Sequence, residues 1–193
     1  PGTTVQLSPR RRIEVRRDLR RHLQDFDGPR LLVTHDPVDA MALADRVIVI
    51  EQGRIVQAGT LAELRAAPRS RFVADLVGIN LYRGTLAGSR VALTGGAELV
   101  VVNDDDQAGE VFAVVRPDAV ALHRDRPEGS PRNTWAATVT TIDHEGPRAR
   151  VTLEGSISIT AEITERAARD LAVAVGTHAW VSVKATEIET YAA

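Results

Sequence analysis

The chain has 193 residues, of which 44% are hydrophobic and 26% are charged, proportions that are typical of soluble globular domains. Its net charge of −2 is too small to direct the whole molecule to nucleic acid, so we expect no nucleic-acid partner. The absence of cysteine excludes disulfides and thiolate chemistry, and no apolar run approaches the roughly 20 residues that span a bilayer. Because the first residues show no signal-peptide pattern, a cytoplasmic location is expected.

The first part of the sequence predicts alternating helices and strands. Asp36 or Thr34 can cap a helix, and Gly59-Thr60 can begin another. Apolar spacing and turn residues set the remaining bounds. In chain order, the predicted elements are a helix over residues 10–26, a buried strand over 31–33, a helix over 37–45, strands over 47–50 and 54–58, and a helix over 61–66.

Three motifs in this part resemble the C-terminal end of an ABC-transporter ATPase domain. They are Leu31-Leu32-Val33-Thr34-His35-Asp36-Pro37-Val38-Asp39-Ala40, then Ala44-Asp45-Arg46-Val47, then Glu51-Gln52-Gly53-Arg54-Ile55-Val56-Gln57-Ala58-Gly59-Thr60. The resemblance implies that His35 is the family's switch histidine, which contacts the γ-phosphate of ATP, and that the parent family uses ATP and Mg²⁺.

The nucleotide-binding residues of such an ATPase are not found in this sequence. It contains no Gly-x-x-x-x-Gly-Lys-[Ser/Thr] loop, and its single lysine is Lys184. The family's signature segment and catalytic carboxylates have no counterpart either. We therefore expect that the chain alone neither binds ATP tightly nor hydrolyses it.

From Asn80 onward, short β-branched runs alternate with turn residues, a pattern typical of a small barrel or sandwich. Thr164 can cap a single helix late in this part. The segment 124–132 is polar and rich in proline and glycine, so we expect an exposed connection there. The predicted strands are residues 81–87, 90–93, 98–102, 111–115, 119–123, 135–142, 148–153, 157–161 and 179–184.

The same part of the sequence contains an internal repeat. The widening offset between matching segments predicts longer connections in the second copy. We therefore predict a duplicated β-unit, with degenerate repeats over about residues 80–123 and 130–192. The matching segments are residues 80–86 with 133–139, 90–95 with 150–155, and 115–120 with 183–188.

Motifs of the second copy resemble the TOBE, or Mop, domain, a family that binds molybdate or tungstate. They are Ser130-Pro131-Arg132-Asn133, Ile163-Thr164 and Ser182-Val183-Lys184-Ala185-Thr186-Glu187. A tetrahedral dianion accepts hydrogen bonds from hydroxyl, amide and cationic donors, and such donors are present here. The oxyanion-binding residues that the resemblance implies are Ser130, Arg132, Asn133, Thr164, Lys184, Ala185 and Thr186.

Two departures from the family pattern bear on this site. Pro131 replaces the family's alanine and removes one backbone N–H donor. In the first repeat Arg116-Pro117-Asp118 replaces Lys-Ala-Thr, and Asp118 would repel a dianion. We therefore expect the second repeat to carry any site, completed across a dimer, and the substitution Arg116→Ala to have little effect on it.

Together these patterns predict an α+β chain, with a truncated α/β ABC-ATPase tail over residues 1–78 and an all-β, OB-like TOBE/Mop barrel over residues 79–193. The function implied is the regulatory, oxyanion-binding C-terminal portion of the ATP-binding subunit of a molybdate or tungstate importer. The implied partners are a second copy of the chain and an integral-membrane permease, with the assembly at the inner face of the cell membrane. Two alternatives stay open: a purely structural TOBE dimerisation module, or the same portion of an importer for sulfate, iron or a sugar.

Overall fold

The chain divides into two compact units, residues 1–64 and residues 65–193. This division falls before the boundary predicted between residues 78 and 79, which stays a prediction. Within the described ranges, no helix combines the length and the apolar character needed to cross a membrane. The computed structural model describes residues 9–24, 27–103 and 107–193.

The first unit contains helices and a β-hairpin, and two of its helices begin at the predicted caps. At the start of α2, the Asp36 carboxylate accepts a hydrogen bond from the Val38 N–H at 2.8 Å. At the start of α3, Thr60 Oγ1 accepts from the Glu63 N–H and Glu63 Oε2 accepts from the Thr60 N–H, which is a capping box. The elements are α1 (Pro9–Gln24), α2 (Pro37–Leu43), β1 (Val47–Glu51), β2 (Arg54–Gly59) and α3 (Leu61–Ala66), which spans the boundary between the units.

The predicted strand over residues 31–33 is wrong. Leu31 and Val33 are 90% and 88% exposed, and the segment has no regular secondary structure. A buried strand needs neighbouring strands and covered faces, whereas the β1–β2 hairpin is the only strand pairing in the described part of this unit. His35 consequently lies at an exposed bend before α2 and not at the end of a strand.

The second unit is mostly β-structure, as predicted. Among its α-helices and strands, α4 and β12 were not predicted. Its elements are α4 (Arg71–Val77), β3 (Asn80–Ala87), β4 (Arg90–Leu93), β5 (Glu98–Val100), β6 (Gly109–Val115), a first 3₁₀ turn (Pro117–Ala119), β7 (Ala121–His123), β8 (Asn133–Glu145), β9 (Arg148–Gly155), β10 (Ile159–Thr164), α5 (Glu165–Asp170), β11 (His178–Val183), a second 3₁₀ turn (Ala185–Glu187) and β12 (Ile188–Ala192).

These strands form two antiparallel five-stranded sheets, in the orders β10-β9-β8-β11-β7 and β12-β6-β3-β4-β5. Each sheet takes four strands from one predicted repeat and its last strand from the other repeat. Thus β7 pairs with β11, and β12 pairs with β6. A duplicated unit whose two copies exchange their final strands has this arrangement.

One hydrophobic core fills this unit and contains side chains from both sheets. Leu86 and Val91 of one sheet and Val151 and Val181 of the other are at most 1% exposed. Trp135 is the only aromatic residue among the buried core residues in the described part of the chain, and aromatic residues make up only 4% of the sequence. Branched aliphatic side chains therefore supply most of the buried surface that stabilises the unit.

A side-chain clasp at the start of β3 joins the two repeats. Asn80 Nδ2 donates to the Val115 carbonyl at 3.1 Å and to the Thr160 carbonyl at 2.9 Å, and Asn80 Oδ1 accepts from the Thr160 N–H at 2.7 Å. Because Thr160 lies on β10, at the edge of the other sheet, the clasp connects the first repeat to the second. Asn133, at the start of β8, makes the equivalent contacts.

Candidate oxyanion site

Two predicted site residues meet at one end of the neighbouring strands β8 and β11. Asn133, the first residue of β8, pairs directly with Val183, the last residue of β11. Arg132 and Lys184 are the next residues along the chain beyond this last pair of the ladder. Asn133 and Val183 themselves are buried, at 5% and 1% exposed. Both side chains are exposed.

The second 3₁₀ turn brings Ala185 and Thr186 directly after this lysine. The turn is closed by hydrogen bonds from the Glu187 N–H to the Lys184 carbonyl at 3.0 Å and from the Ile188 N–H to the Ala185 carbonyl. The turn itself does not use the N–H groups of Ala185 and Thr186. An exposed hydroxyl, that of Thr186, and the Lys184 ammonium therefore belong to one tight turn.

Ser130 lies on the connection between β7 and β8, and its side chain is exposed, as predicted for the segment 124–132. This connection contacts the sheet through Arg126, whose guanidinium carbon lies 5.5 Å from the centroid of the Trp180 ring. Such a cation–π contact is worth about 0.5–1 kcal/mol at an exposed position. The connection that carries Ser130 to the start of β8 is thus held against β11.

The side chain of Asn133 is committed to the backbone of the protein. Its Nδ2 donates to the Val100 carbonyl at 2.9 Å and to the Val183 carbonyl at 3.3 Å, and its Oδ1 accepts from the Val100 N–H at 2.6 Å. Both amide hydrogens are therefore used, and donation to an oxyanion would break the clasp. Asn133 contributes to this region by fixing the position of Arg132, the residue before it.

Thr164 lies at the opposite end of the same sheet. It pairs with Arg148, and Arg148 pairs with Glu145, the last residue of β8. Asn133 and Glu145 are the two ends of a 13-residue strand, which corresponds to about 40 Å of extended chain. The Thr164 hydroxyl accepts from the Ala167 N–H at 3.1 Å, which confirms its predicted capping role. Within one chain, Thr164 does not join the other six predicted residues.

A cavity of about 320 Å³ lies beside Arg132, between the two repeats. Its other cation, Arg90, donates a hydrogen bond to the Glu98 carboxylate, and this contact raises the pKa of the guanidinium. Among the described residues, no carboxylate contacts the other cation of this cavity, Arg132. The lining residues are Arg90, Ala97, Glu98 and Val100 from the first repeat, and Arg132, Asn133, Thr134, Trp135, Ser156 and Ile157 from the second.

The equivalent turn of the first repeat has a different charge arrangement. Arg116 occupies the position of Lys184, and its Nε lies 3.3 Å from Asp118 Oδ1. Its Nη2 also lies 4.0 Å from Oε2 of Glu187, in the second repeat. The second contact was not predicted, because the two residues are far apart in sequence and only the exchange of final strands brings the two turns close. In the described part of the chain, no group of three or more histidine or acidic side chains is placed to hold a metal ion.

Comparison with known proteins supports this view of the second unit. Residues 129–189 match the family model of the TOBE domain. A crystal structure of the cytoplasmic molybdate-binding protein ModG with molybdate bound has a similar fold, with a TM-score of 0.53 and 28% sequence identity. This similarity covers 59% of the present chain and 96% of the ModG chain.

Two curated relatives extend the similarity beyond the TOBE domain. The molybdenum import ATP-binding protein ModC of Mycobacterium tuberculosis (strain ATCC 25618 / H37Rv) is 41% identical over 170 residues, which are 84% of this chain and 46% of ModC. The Fe(3+) ions import ATP-binding protein FbpC of Vibrio cholerae serotype O1 is 40% identical over 116 residues, which are 58% of this chain and 33% of FbpC. The chain thus spans less than half the length of these relatives. Both resemblances that the motifs indicated are confirmed by these matches.

Proposed function

We propose that the second repeat of this chain binds molybdate or tungstate and thereby regulates import. The chain contains a TOBE domain and is similar to the ATP-binding subunits of molybdenum importers, so we place this binding within such a subunit. The observation that carries the proposal is that two exposed cations, Arg132 and Lys184, directly adjoin the paired residues Asn133 and Val183 at the end of β8 and β11. These two cations and the hydroxyls of Ser130 and Thr186 are donors of the kind that a tetrahedral dianion requires.

The separation of Thr164 from this cluster supports a homodimer. At the far end of the sheet, Thr164 can contribute only to a site built with a second copy of the chain. Its hydroxyl accepts from the Ala167 N–H but keeps its own hydrogen available for donation. We therefore propose that each oxyanion is held by Arg132 and Lys184 of one copy and Thr164 of another.

The wider setting follows from the relatives. In a complete subunit, hydrolysis of Mg²⁺-bound ATP would supply the energy of transport, and His35 would serve as the switch histidine that contacts the γ-phosphate. We propose that the subunit acts at the cytoplasmic face of the membrane with an integral-membrane permease. Oxyanion binding to the second unit would then report the internal molybdate concentration to the transporter.

Calorimetric titration of the chain with molybdate, tungstate and sulfate tests this function. Molybdate and tungstate should bind, and sulfate, which is smaller, should bind more weakly. Lys184→Ala should weaken molybdate binding by roughly ten- to hundredfold, since a hydrogen bond from a charged donor is worth about 1.5–3 kcal/mol. Arg83→Ala removes an equal charge from an exposed pair with Glu110 elsewhere on the unit and should leave binding unchanged.

The same titration separates the alternatives. If none of the three anions binds, the result would favour the purely structural dimerisation module. The missing N–H of Pro131 and the committed amide of Asn133 are the observations that support that second candidate. Tighter binding of sulfate than of tungstate would instead favour the subunit of another importer.

A further inference from the structure

We infer that Arg116, in the first repeat, is a positioning residue for the oxyanion site of the second repeat, because it neutralises the carboxylate of Glu187 beside Lys184. The inference rests on the proposed function. It replaces the sequence-based expectation that Arg116 has little effect on that site. Arg116 would act through Glu187, without contact to the anion.

The geometry of the two 3₁₀ turns carries this inference. Arg116 immediately precedes the first turn, and Glu187 is the last residue of the second turn. Arg116 Nη2 lies 4.0 Å from Glu187 Oε2, so the cation of the first repeat faces a carboxylate of the second. Asp118 Oδ1, at 3.3 Å from Arg116 Nε, holds the other edge of the guanidinium. The Nη2 edge of the Arg116 guanidinium is thereby directed toward the second turn.

The charges in the second turn explain why this contact matters. Glu187 is separated from Lys184 by only Ala185 and Thr186, and its N–H bonds to the Lys184 carbonyl at 3.0 Å. A carboxylate within one turn of a bound dianion lies inside the Debye length of about 8 Å and repels the dianion. Arg116 contacts Asp118 as well, so these three side chains carry a net charge of −1. Loss of Arg116 would make this charge −2 and would oppose the attraction of Lys184 for the anion more strongly.

The expected size of the effect is modest, because the pair is partly exposed. The side chains of Arg116 and Glu187 are 58% and 43% exposed, so water and salt screen their charges. For a dianion about 8 Å from an uncompensated carboxylate, Coulomb's law in water corresponds to a three- to tenfold change in Kd. The change should be largest at low ionic strength and should almost vanish at about 1 M salt, where the Debye length is about 3 Å.

A double-mutant cycle in the full chain, measured by calorimetry with molybdate, tests the inference. At an ionic strength of about 0.01 M, Arg116→Ala should weaken binding by about three- to tenfold, and Glu187→Gln should strengthen it by about twofold. The double variant Arg116→Ala/Glu187→Gln should return to within about twofold of the wild-type Kd, because the net charge at these two positions and Asp118 is then −1, as in the wild type. A purely structural role of Arg116 would not be rescued in this way.

Arg83→Ala is the matched control, since it removes the same charge from an exposed arginine–glutamate pair. Arg83 pairs with Phe112, four positions before Arg116 along the chain, which is about 13 Å of strand. The Kd of Arg83→Ala should stay within about twofold of the wild-type value at low ionic strength, because the removed charge lies farther from the second turn, and should equal the wild-type value at about 1 M salt. A loss equal to that of Arg116→Ala would show that net charge alone controls binding and would overturn the inference.

Other outcomes separate this inference from the proposed function. If wild type binds molybdate and Arg116→Ala binds equally well, the inference fails and the proposed function stands. A loss in Arg116→Ala that Glu187→Gln does not rescue would also reject the inference, since Arg116 would then contact the anion directly. If wild type binds none of molybdate, tungstate and sulfate, the proposed function fails and this inference fails with it.

Discussion

The two repeats of the second unit keep the same order of strands but differ in the turn after their fourth strand. In the second repeat, that turn presents the exposed Lys184 and Thr186. In the first repeat, Arg116 replaces the lysine and is paired with Asp118. The comparison shows that the scaffold and the ligand chemistry of a duplicated unit can diverge independently.

The residues that join the repeats, in contrast, are the same in both copies. Asn80 and Asn133 each donate to one carbonyl in their own sheet and bond to the N–H and C=O of one residue in the other sheet. Each asparagine side chain thus forms hydrogen bonds between the two sheets, which belong to separate backbone ladders. Both repeats keep their clasp, so the loss of anion-binding residues from one repeat leaves the fold unchanged.

The largest effect that we expect comes from removing a clasp. Asn133→Ala leaves the N–H and carbonyl of Val100 without their partner at a buried position, which should lower the free energy of unfolding by about 3 kcal/mol. Asn80 is only half-buried, so water can replace part of its contacts, and Asn80→Ala should cost about 1–2 kcal/mol. Denaturant unfolding monitored by circular dichroism measures both values.

The role of the two asparagine clasps in joining the repeats would be contradicted by small losses of stability. If Asn80→Ala and Asn133→Ala destabilised the chain by less than about 0.5 kcal/mol, as surface substitutions do, the clasps would not hold the repeats together. Asn103→Ala provides a control, since the hydrogen bonds of this asparagine to described residues go to Gly88 and Gln107 at an exposed site within the first repeat.

A smaller effect concerns Pro131, which separates the second repeat from the usual family pattern. Pro131→Ala restores a backbone N–H between Ser130 and Arg132, and one added neutral donor should tighten molybdate binding by about three- to tenfold. The matched control is Pro117→Ala, which restores an N–H in the first repeat, beside an arginine that is already paired. Equal gains from the two substitutions, or no gain from Pro131→Ala, would show that the anion does not contact this connection.

Sequence periodicity predicted most strands of the second unit because their alternation of buried and exposed residues is regular. Strand β12 was missed because the last predicted strand ended at residue 184. The helix α4 was missed as well, although Ser70 accepts a hydrogen bond from the Val73 N–H and Gly78 ends the helix in the left-handed conformation, at φ 73°. These cap residues were the signal in the sequence that could have found the helix.

Other features depend on tertiary structure and could not be read from local sequence. The apolar run at residues 31–33 has strand composition, but a strand requires partners, and its side chains are exposed in this chain. Likewise, Thr164 and Lys184 belong to neighbouring motifs in the sequence, yet Thr164 at the end of β10 and Lys184 directly after β11 lie at opposite ends of one sheet. Contacts between repeats, such as Arg116 with Glu187, arise only once the final strands have been exchanged.

The smallest effect that we expect concerns the exchanged strands themselves. Tyr191 of β12 pairs with Phe112, just as His123 of β7 pairs with Trp180, so the tyrosine and the histidine occupy equivalent positions. The Tyr191 hydroxyl donates to the Pro68 carbonyl, and Tyr191→Phe should lower the free energy of unfolding by about 1 kcal/mol at pH 8.

The pH dependence of that loss distinguishes the hydroxyl from the ring of Tyr191. Burial raises the pKa of Tyr191 from 10.0 to about 12, so the folded state holds the phenolic proton more tightly than the unfolded state does. The resulting stabilisation is complete below pH 10 and is lost as the pH rises from 10 toward 12. Between pH 8 and pH 11, wild type should therefore lose more stability than Tyr191→Phe, so that the two unfolding free energies converge. Burial also raises the pKa of Tyr82, but this contribution is common to both proteins and cancels in the difference. Stability curves that stay parallel up to pH 11 would mean that the Tyr191 hydroxyl does not hold β12 in its exchanged position.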